Sequence, residues 1–148
     1  MIKPHIILMA VGLLLTSSVS FALPQRVTIT PSAITSIYDG DTFRAYIKGI
    51  TPQGERSTRI RIRIRHIDTP EIKGKCPAEI KGALAARAKA RQWLMQASTL
   101  QLTHLGYDRY GRLLATVTLN GQQSYANKMI QQGLARPYEG KKRQGWCR

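Results

Sequence analysis

The sequence predicts a small, mainly β domain of the α+β class. Five strands wind into a closed barrel, one helix is inserted after the third strand, and another lies behind them. Three observations carry this reading. Arg59-Ile60-Arg61-Ile62-Arg63-Ile64-Arg65 alternates strictly, and a period of two sets isoleucine on one face of a strand and arginine on the other. Pro77 to Ala97 repeats its apolar residues every three or four positions, the period of a helix with one buried stripe. Turn signals at Asp39-Gly40 and Asn120-Gly121 cut the remaining apolar runs into short strands.

The amino terminus is read apart from the fold. Met1-Ile2-Lys3 is a cationic start, Ile6 to Leu15 is apolar, and Ser20-Phe21-Ala22 offers small residues to a signal peptidase. A leader over 1–22, cut after Ala22, and a single domain over 23–148 are expected. The apolar run falls short of the ~20 residues that span a bilayer, so an uncleaved anchor is the weaker alternative. Export to a periplasmic or extracellular destination follows. There the only two cysteines, Cys76 and Cys147, can pair, whereas their number and spacing do not suit zinc.

The domain then unfolds in order. Ile34, Ile37 and Tyr38 form the first strand and Thr42 to Ile47 the second. Lys48 to Ser57 is a loop, with Gly49, Pro52 and Gly54, and the Arg/Ile run is the third strand. In the helix that follows, Pro77 suits the first turn and Glu79 complements the dipole. Ile80, Ala83, Ala86, Ala90, Trp93 (or Leu94) and Ala97 form the buried stripe. Leu100 to His104 and Arg112 to Leu119 are strands four and five. Ser124 to Gln132 is a short helix that Gly133 ends, and Glu139 to Arg148 is a basic tail without periodicity.

The chain carries 23 Lys+Arg against 8 Asp+Glu, a formal charge of +15, which attracts polyanions such as DNA and RNA or an anionic membrane face. Against that background the few acids stand out. Asp39 and Asp41 flank Gly40 at the first turn, and Asp68 and Glu71 lie just past the Arg/Ile strand. Oxygen ligands at two loop corners are what Ca²⁺ or Mg²⁺ requires, although a turn aspartate can simply cap backbone N–H groups, which is the reading favoured for Asp39. Arg63 and Arg112 are candidate phosphate clamps, because a planar guanidinium holds two phosphoryl oxygens at once. Arg59, Arg61 and Arg65 are read as solvated face, with at most a share in backbone attraction.

Four ordered segments carry a resemblance: Tyr38-Asp39-Gly40-Asp41-Thr42, Arg63 to Glu71, Asp108-Arg109-Tyr110-Gly111-Arg112 and Gln132-Gly133-Leu134-Ala135. Together, over roughly Ile34 to Tyr138, the chain resembles the staphylococcal nuclease (thermonuclease) family. The resemblance implies an OB-fold-type five-stranded barrel with two to three helices, and Ca²⁺-dependent cleavage of DNA and RNA to 3′-phosphate ends. By motif it implies Asp41, Asp68 and the Thr69 carbonyl as Ca²⁺ ligands, and Glu71 as the residue that activates water. Arg63 and Arg112 fall on the positions that bind the scissile phosphate, Arg109 and Tyr110 on those that touch its neighbour. Tyr138 is the nearest candidate for base stacking. The family's long C-terminal helix has no counterpart, and its archetype has no disulfide. A Cys76–Cys147 bridge is expected to tie the tail to the loop after Glu71, and a monomer is expected. Two other classes compete: a non-catalytic OB-type nucleic-acid-binding module, and a cationic envelope protein, which would not explain the acidic cluster.

Overall fold

The computed structural model describes residue 18 and residues 20–52 and 54–148. The apolar run Ile6 to Leu15, on which the leader rests, lies outside them. The elements run β1 (Arg26–Ile29), a 3₁₀ turn (Pro31–Ala33), β2 (Ile34–Ile37), β3 (Thr42–Ile47), β4 (Thr58–Ile64), β5 (His66–Asp68) and α1 (Pro77–Gln96). Then come β6 (Leu100–Tyr107), β7 (Leu113–Leu119), β8 (Gln123–Ser124), α2 (Tyr125–Gln131) and β9 (Arg136–Tyr138).

The five expected strands lie side by side in the order β2-β3-β4-β7-β6. The β4–β7 pair is parallel and the other pairs are antiparallel. The sheet curls into a half-barrel carrying two helices, an OB-fold-like α+β architecture. It is not closed by hydrogen bonds as expected. β1 pairs with the outer edge of β6 and takes up the backbone groups that closure would use, so the path stays open from β1 to β2. β5 and β9 form a separate two-stranded ribbon over the end of β4.

Alternation builds the core. Phe43, Ala45 and Ile47 of β3, Ile60, Ile62 and Ile64 of β4, and Leu113, Ala115, Val117 and Leu119 of β7 all point to the same interior. Each large aliphatic side chain buried this way contributes about 1.5–3 kcal/mol relative to exposure. Helix α1 covers the core with Ala83, Ala86, Ala90 and Leu94, small enough for close approach, while α2 adds Tyr125, Ala126 and Met129. The α1 stripe departs from expectation at its start. Glu79, not Ile80, is buried there, and Ile80 is exposed. The reason is polar: the Glu79 carboxylate accepts hydrogen bonds from the backbone N–H groups of Lys75 (2.8 Å) and Glu71 (3.4 Å), so it turns inward to hold that loop. The Arg/Ile run also breaks earlier than its pattern implies. His66 adopts φ 71°, which ends β4 at Ile64 and redirects the chain into β5.

Candidate active site

Two loops meet beside the end of β4. In the first, Asp39-Gly40-Asp41, the Asp39 Oδ1 accepts the Asp41 N–H at 3.0 Å, the turn-capping role read from sequence. Gly40 is obligatory: a Cβ there would come within 2.7 Å of Thr69 Cγ2 and 2.9 Å of both Ala86 and Met129. Its carbonyl accepts a 2.6 Å hydrogen bond from the fully buried Tyr125 hydroxyl, which fixes the turn against α2. Asp41 then reaches the second loop. Its Oδ2 accepts from both the N–H (2.9 Å) and the hydroxyl (3.0 Å) of Thr69, while Oδ1 accepts from Thr42. Asp41, Asp68 and Thr69 are all buried, and their oxygens converge.

Burial first, and then the neighbouring Asp41 carboxylate, push the Asp39 carboxyl up from 3.8 to about 7. Across that window the folded chain binds a proton that the unfolded chain has released, so this group's contribution to stability falls as pH rises from 3.8 to about 7. An Asp39→Asn variant keeps an acceptor for the Asp41 N–H but has no proton to lose. In chelator-treated buffer its melting temperature relative to wild type rises more at pH 8 than at pH 5; an equal change at both pH values would contradict the buried, proton-binding carboxyl.

The guanidinium groups approach from the strands. Arg63 is the last arginine of β4 and, unlike Arg59 and Arg61, is buried. Its Nη1 donates to the carbonyls of Ile64 and Ile67 (3.0 Å to the latter), and its Nη2 lies 3.3 Å from Asp41 and 3.8 Å from Asp68. Arg112 is aimed by Asp108, which accepts from the Arg112 Nε at 2.8 Å and N–H at 3.0 Å and from the Tyr110 N–H at 2.9 Å. Partial burial raises the Asp108 carboxyl, but these bonds outweigh it and hold the pKa below the usual value. Arg109 donates to the Tyr110 hydroxyl at 2.9 Å and lies over its ring. The Tyr138 ring stands 5.9 Å from the Arg63 Cζ. An open cleft of about 770 Å³ is lined by Asp41, Arg63, Glu71 and Arg112, with Arg109, Tyr110 and Tyr138 on its walls. Asp68 and Thr69 are not part of this lining but lie against it, Thr69 bonded to Asp41 and Asp68 3.8 Å from Arg63. Of the other arginines in the row, Arg59 bonds Thr35 and Arg65 bonds the His104 carbonyl, while Arg61 lines the cleft.

The family of staphylococcal nuclease homologues matches residues 61–145. The chain belongs to this family. No curated protein matches it. The staphylococcal nuclease match starts on β4 at Arg61 and so includes Arg63, Asp68, Glu71 and Arg112, while Asp41 enters the site from the preceding hairpin through the β3–β4 pairing. The family places the chain among nucleases and nucleic-acid-binding modules, with nucleic acid as its partner.

Sequence reasoning did not find every residue that shapes this site. Cys76 and Cys147 are bonded as expected, with Cα atoms 6.0 Å apart. The bridge carries the tail across the cleft mouth, where Arg143 donates to Asp68, to the Thr69 carbonyl and to Glu71, and the Trp146 indole donates to Asp68. Burial lowers the Arg143 pKa, but the Glu71 and Asp68 carboxylates more than reverse this, so the guanidinium stays charged. Glu79 and Tyr125 were likewise missed as supports. The scarcity of acids was the one sequence signal pointing to Glu79. Cys76, Cys147 and Glu79 cluster within 4.8 Å, but the two sulfurs are spent in the disulfide and offer no thiolate to a metal.

Proposed function

We propose that this protein is an exported, Ca²⁺-dependent endonuclease that hydrolyses phosphodiester bonds of DNA and RNA, leaving 3′-phosphate ends. The convergence of two buried carboxylates and a backbone carbonyl with two anchored guanidiniums, beside one open cleft, is the observation that carries this reading. The donor set is all oxygen, and a cationic group of the chain itself already rests on these oxygens, so the residues fit a hard cation. Held by Asp41, Asp68 and the Thr69 carbonyl, Ca²⁺ would supply positive charge beside the scissile phosphate.

The chain's own residues divide the remaining work. A phosphodiester repels nucleophiles, and charge builds on its oxygens as water adds. Arg63 and Arg112 bind those oxygens and offset that charge. Both side chains are anchored, Arg63 by two carbonyls and Arg112 by Asp108, so little reorganisation is needed as the reaction proceeds. Glu71 lines the cleft and accepts the proton of the attacking water. Arg109 and Tyr110 hold the adjoining phosphate, and Tyr138 offers a ring face to a base. The disulfide supports an oxidising compartment, and cleavage of the leader after Ala22 delivers the chain there.

The test incubates the purified mature protein with plasmid DNA and with single-stranded RNA. Cleavage is expected with Ca²⁺ and is expected to stop in excess Ca²⁺ chelator, with 3′-phosphate products. Full activity in chelator would remove the metal from the reading. Retarded migration of intact nucleic acid, with no cleavage under any condition, would establish the binding module instead.

A further inference from the structure

The Arg143 side chain is part-exposed at the cleft, but its guanidinium turns inward onto the acidic loop. Its Nε and Nη2 lie 2.7 Å and 2.6 Å from Asp68 Oδ1, its Nη2 lies 3.3 Å from the Thr69 carbonyl oxygen, and its Nη1 donates to Glu71. The second oxygen of Asp68 is taken by the Trp146 indole N–H at 3.2 Å. Two of the three groups assigned to the metal, and the carboxylate assigned to water, are therefore engaged by one four-residue stretch of tail. That stretch is fixed at its far end by Cys147, bonded to Cys76 in the loop that follows Glu71. Arg136 holds the near side, stacked on the Trp146 ring with its Cζ 3.6 Å from the centroid and donating to the Gly145 carbonyl at 2.9 Å.

We propose that Arg143 is an internal cation that competes with the divalent metal for Asp68, Thr69 and Glu71, so that the disulfide-tethered tail sets the metal affinity of the site. The inference rests on the metal reading above. The physical argument is one of exclusion and effective concentration. Asp68 is 3 % exposed, so its carboxylate cannot take a metal on another face while the guanidinium and the indole cover both oxygens. A metal ion gains its ligands only when Arg143 leaves them. The tether keeps Arg143 close after each departure, so its return is an intramolecular step. Apparent affinity is then the intrinsic affinity multiplied by the fraction of time the tail is away. With Arg143 removed, Glu71 loses its paired cation and Asp68 keeps only Arg63 at 3.8 Å, and Ca²⁺ is the charge that replaces Arg143.

Calcium alone is the probe. Isothermal titration calorimetry of the oxidised protein is expected to give a Kd at least about tenfold lower for Arg143→Ala than for wild type, the factor for a tail seated nine-tenths of the time. Arg143→Lys, which keeps the charge but loses the planar fork, falls between them. Cys147→Ser keeps Arg143 but frees its tether, and shifts Kd in the same direction by a smaller factor. A second readout is spectroscopic. In a Trp93→Phe background Trp146 is the only tryptophan, and Ca²⁺ is expected to change its emission as the indole leaves Asp68. Equal or weaker Ca²⁺ binding by Arg143→Ala, with wild type binding normally, overturns the competition while leaving the metal reading intact. Unchanged Trp146 emission at saturating Ca²⁺ also overturns it, and an unshifted Cys147→Ser removes the tether from it. If no variant binds Ca²⁺, or if Asp41→Ala binds as wild type does, the metal reading and the inference fall together.

Discussion

Arg63→Ala and Arg112→Ala each lower kcat by about a hundredfold or more, the loss expected when a preorganised stabiliser of transition-state charge is deleted. Glu71→Ala produces a loss of the same order through the missing proton acceptor. For Arg63 the anchoring predicts more than a simple deletion. Its Nη1 is committed to the Ile64 and Ile67 carbonyls, so the head group arrives already oriented. A lysine cannot hold two carbonyls and present a second nitrogen, so Arg63→Lys recovers little. Arg61→Ala supplies the contrast. Arg61 lies on the same strand two residues earlier and is exposed, so its removal raises KM and reduces the salt dependence of binding by about one phosphate's worth while kcat holds. Steady-state kinetics over a salt series, with circular dichroism to verify folding, separates the two. Turnover lost in Arg61→Ala but retained in Arg63→Ala would reverse the assignment.

That contrast shows what a sequence can reveal here and where it stops. The Arg/Ile alternation gives strand and face correctly, yet it treats the arginines as equivalent. Nothing in a period of two says that the strand's end lies under the β5–β9 ribbon, where Arg63 becomes buried and Arg59 does not. The phosphate-clamp reading and then the resemblance singled out Arg63; the physical cause of its burial is long-range. The missed strands fail for local reasons. β9 contains Pro137, which cannot donate to a ladder and reads as a break. β1 is only four residues long and sits at a sheet edge. β5 continues the β4 pattern, and only the φ of His66 separates the two. Asp41, Asp68 and Glu71 were legible because acids are scarce in so basic a chain. Arg143 was not, because one arginine in a basic tail carries no signal until the disulfide closes and sets its place.

The disulfide is where the second large effect is expected. Cys147→Ser lowers the stability of the oxidised protein by about 4 kcal/mol on the chain-entropy model. The bond joins positions 71 residues apart, so its loss frees most of the folded domain in the unfolded ensemble. For a domain of this size, that corresponds to a fall in melting temperature on the order of 10 °C. Native contacts do not compensate. The tail's other anchors, Arg143 on Asp68 and Glu71 and Arg136 on Trp146, are part-exposed pairs that each contribute about 0–1 kcal/mol. Wild type in reductant should therefore melt with Cys147→Ser, and the Cys76→Ser/Cys147→Ser double variant should melt no lower than the single one. The opposite signs of the two readouts make the test informative. Cutting the tether weakens the fold but, by releasing Arg143, tightens Ca²⁺ binding, so a general loss of structure cannot imitate it. Alkylation of the oxidised protein without reductant, followed by mass spectrometry, completes the test: full labelling of both cysteines, with melting indifferent to reductant, would remove the bridge and with it the restraint on the tail.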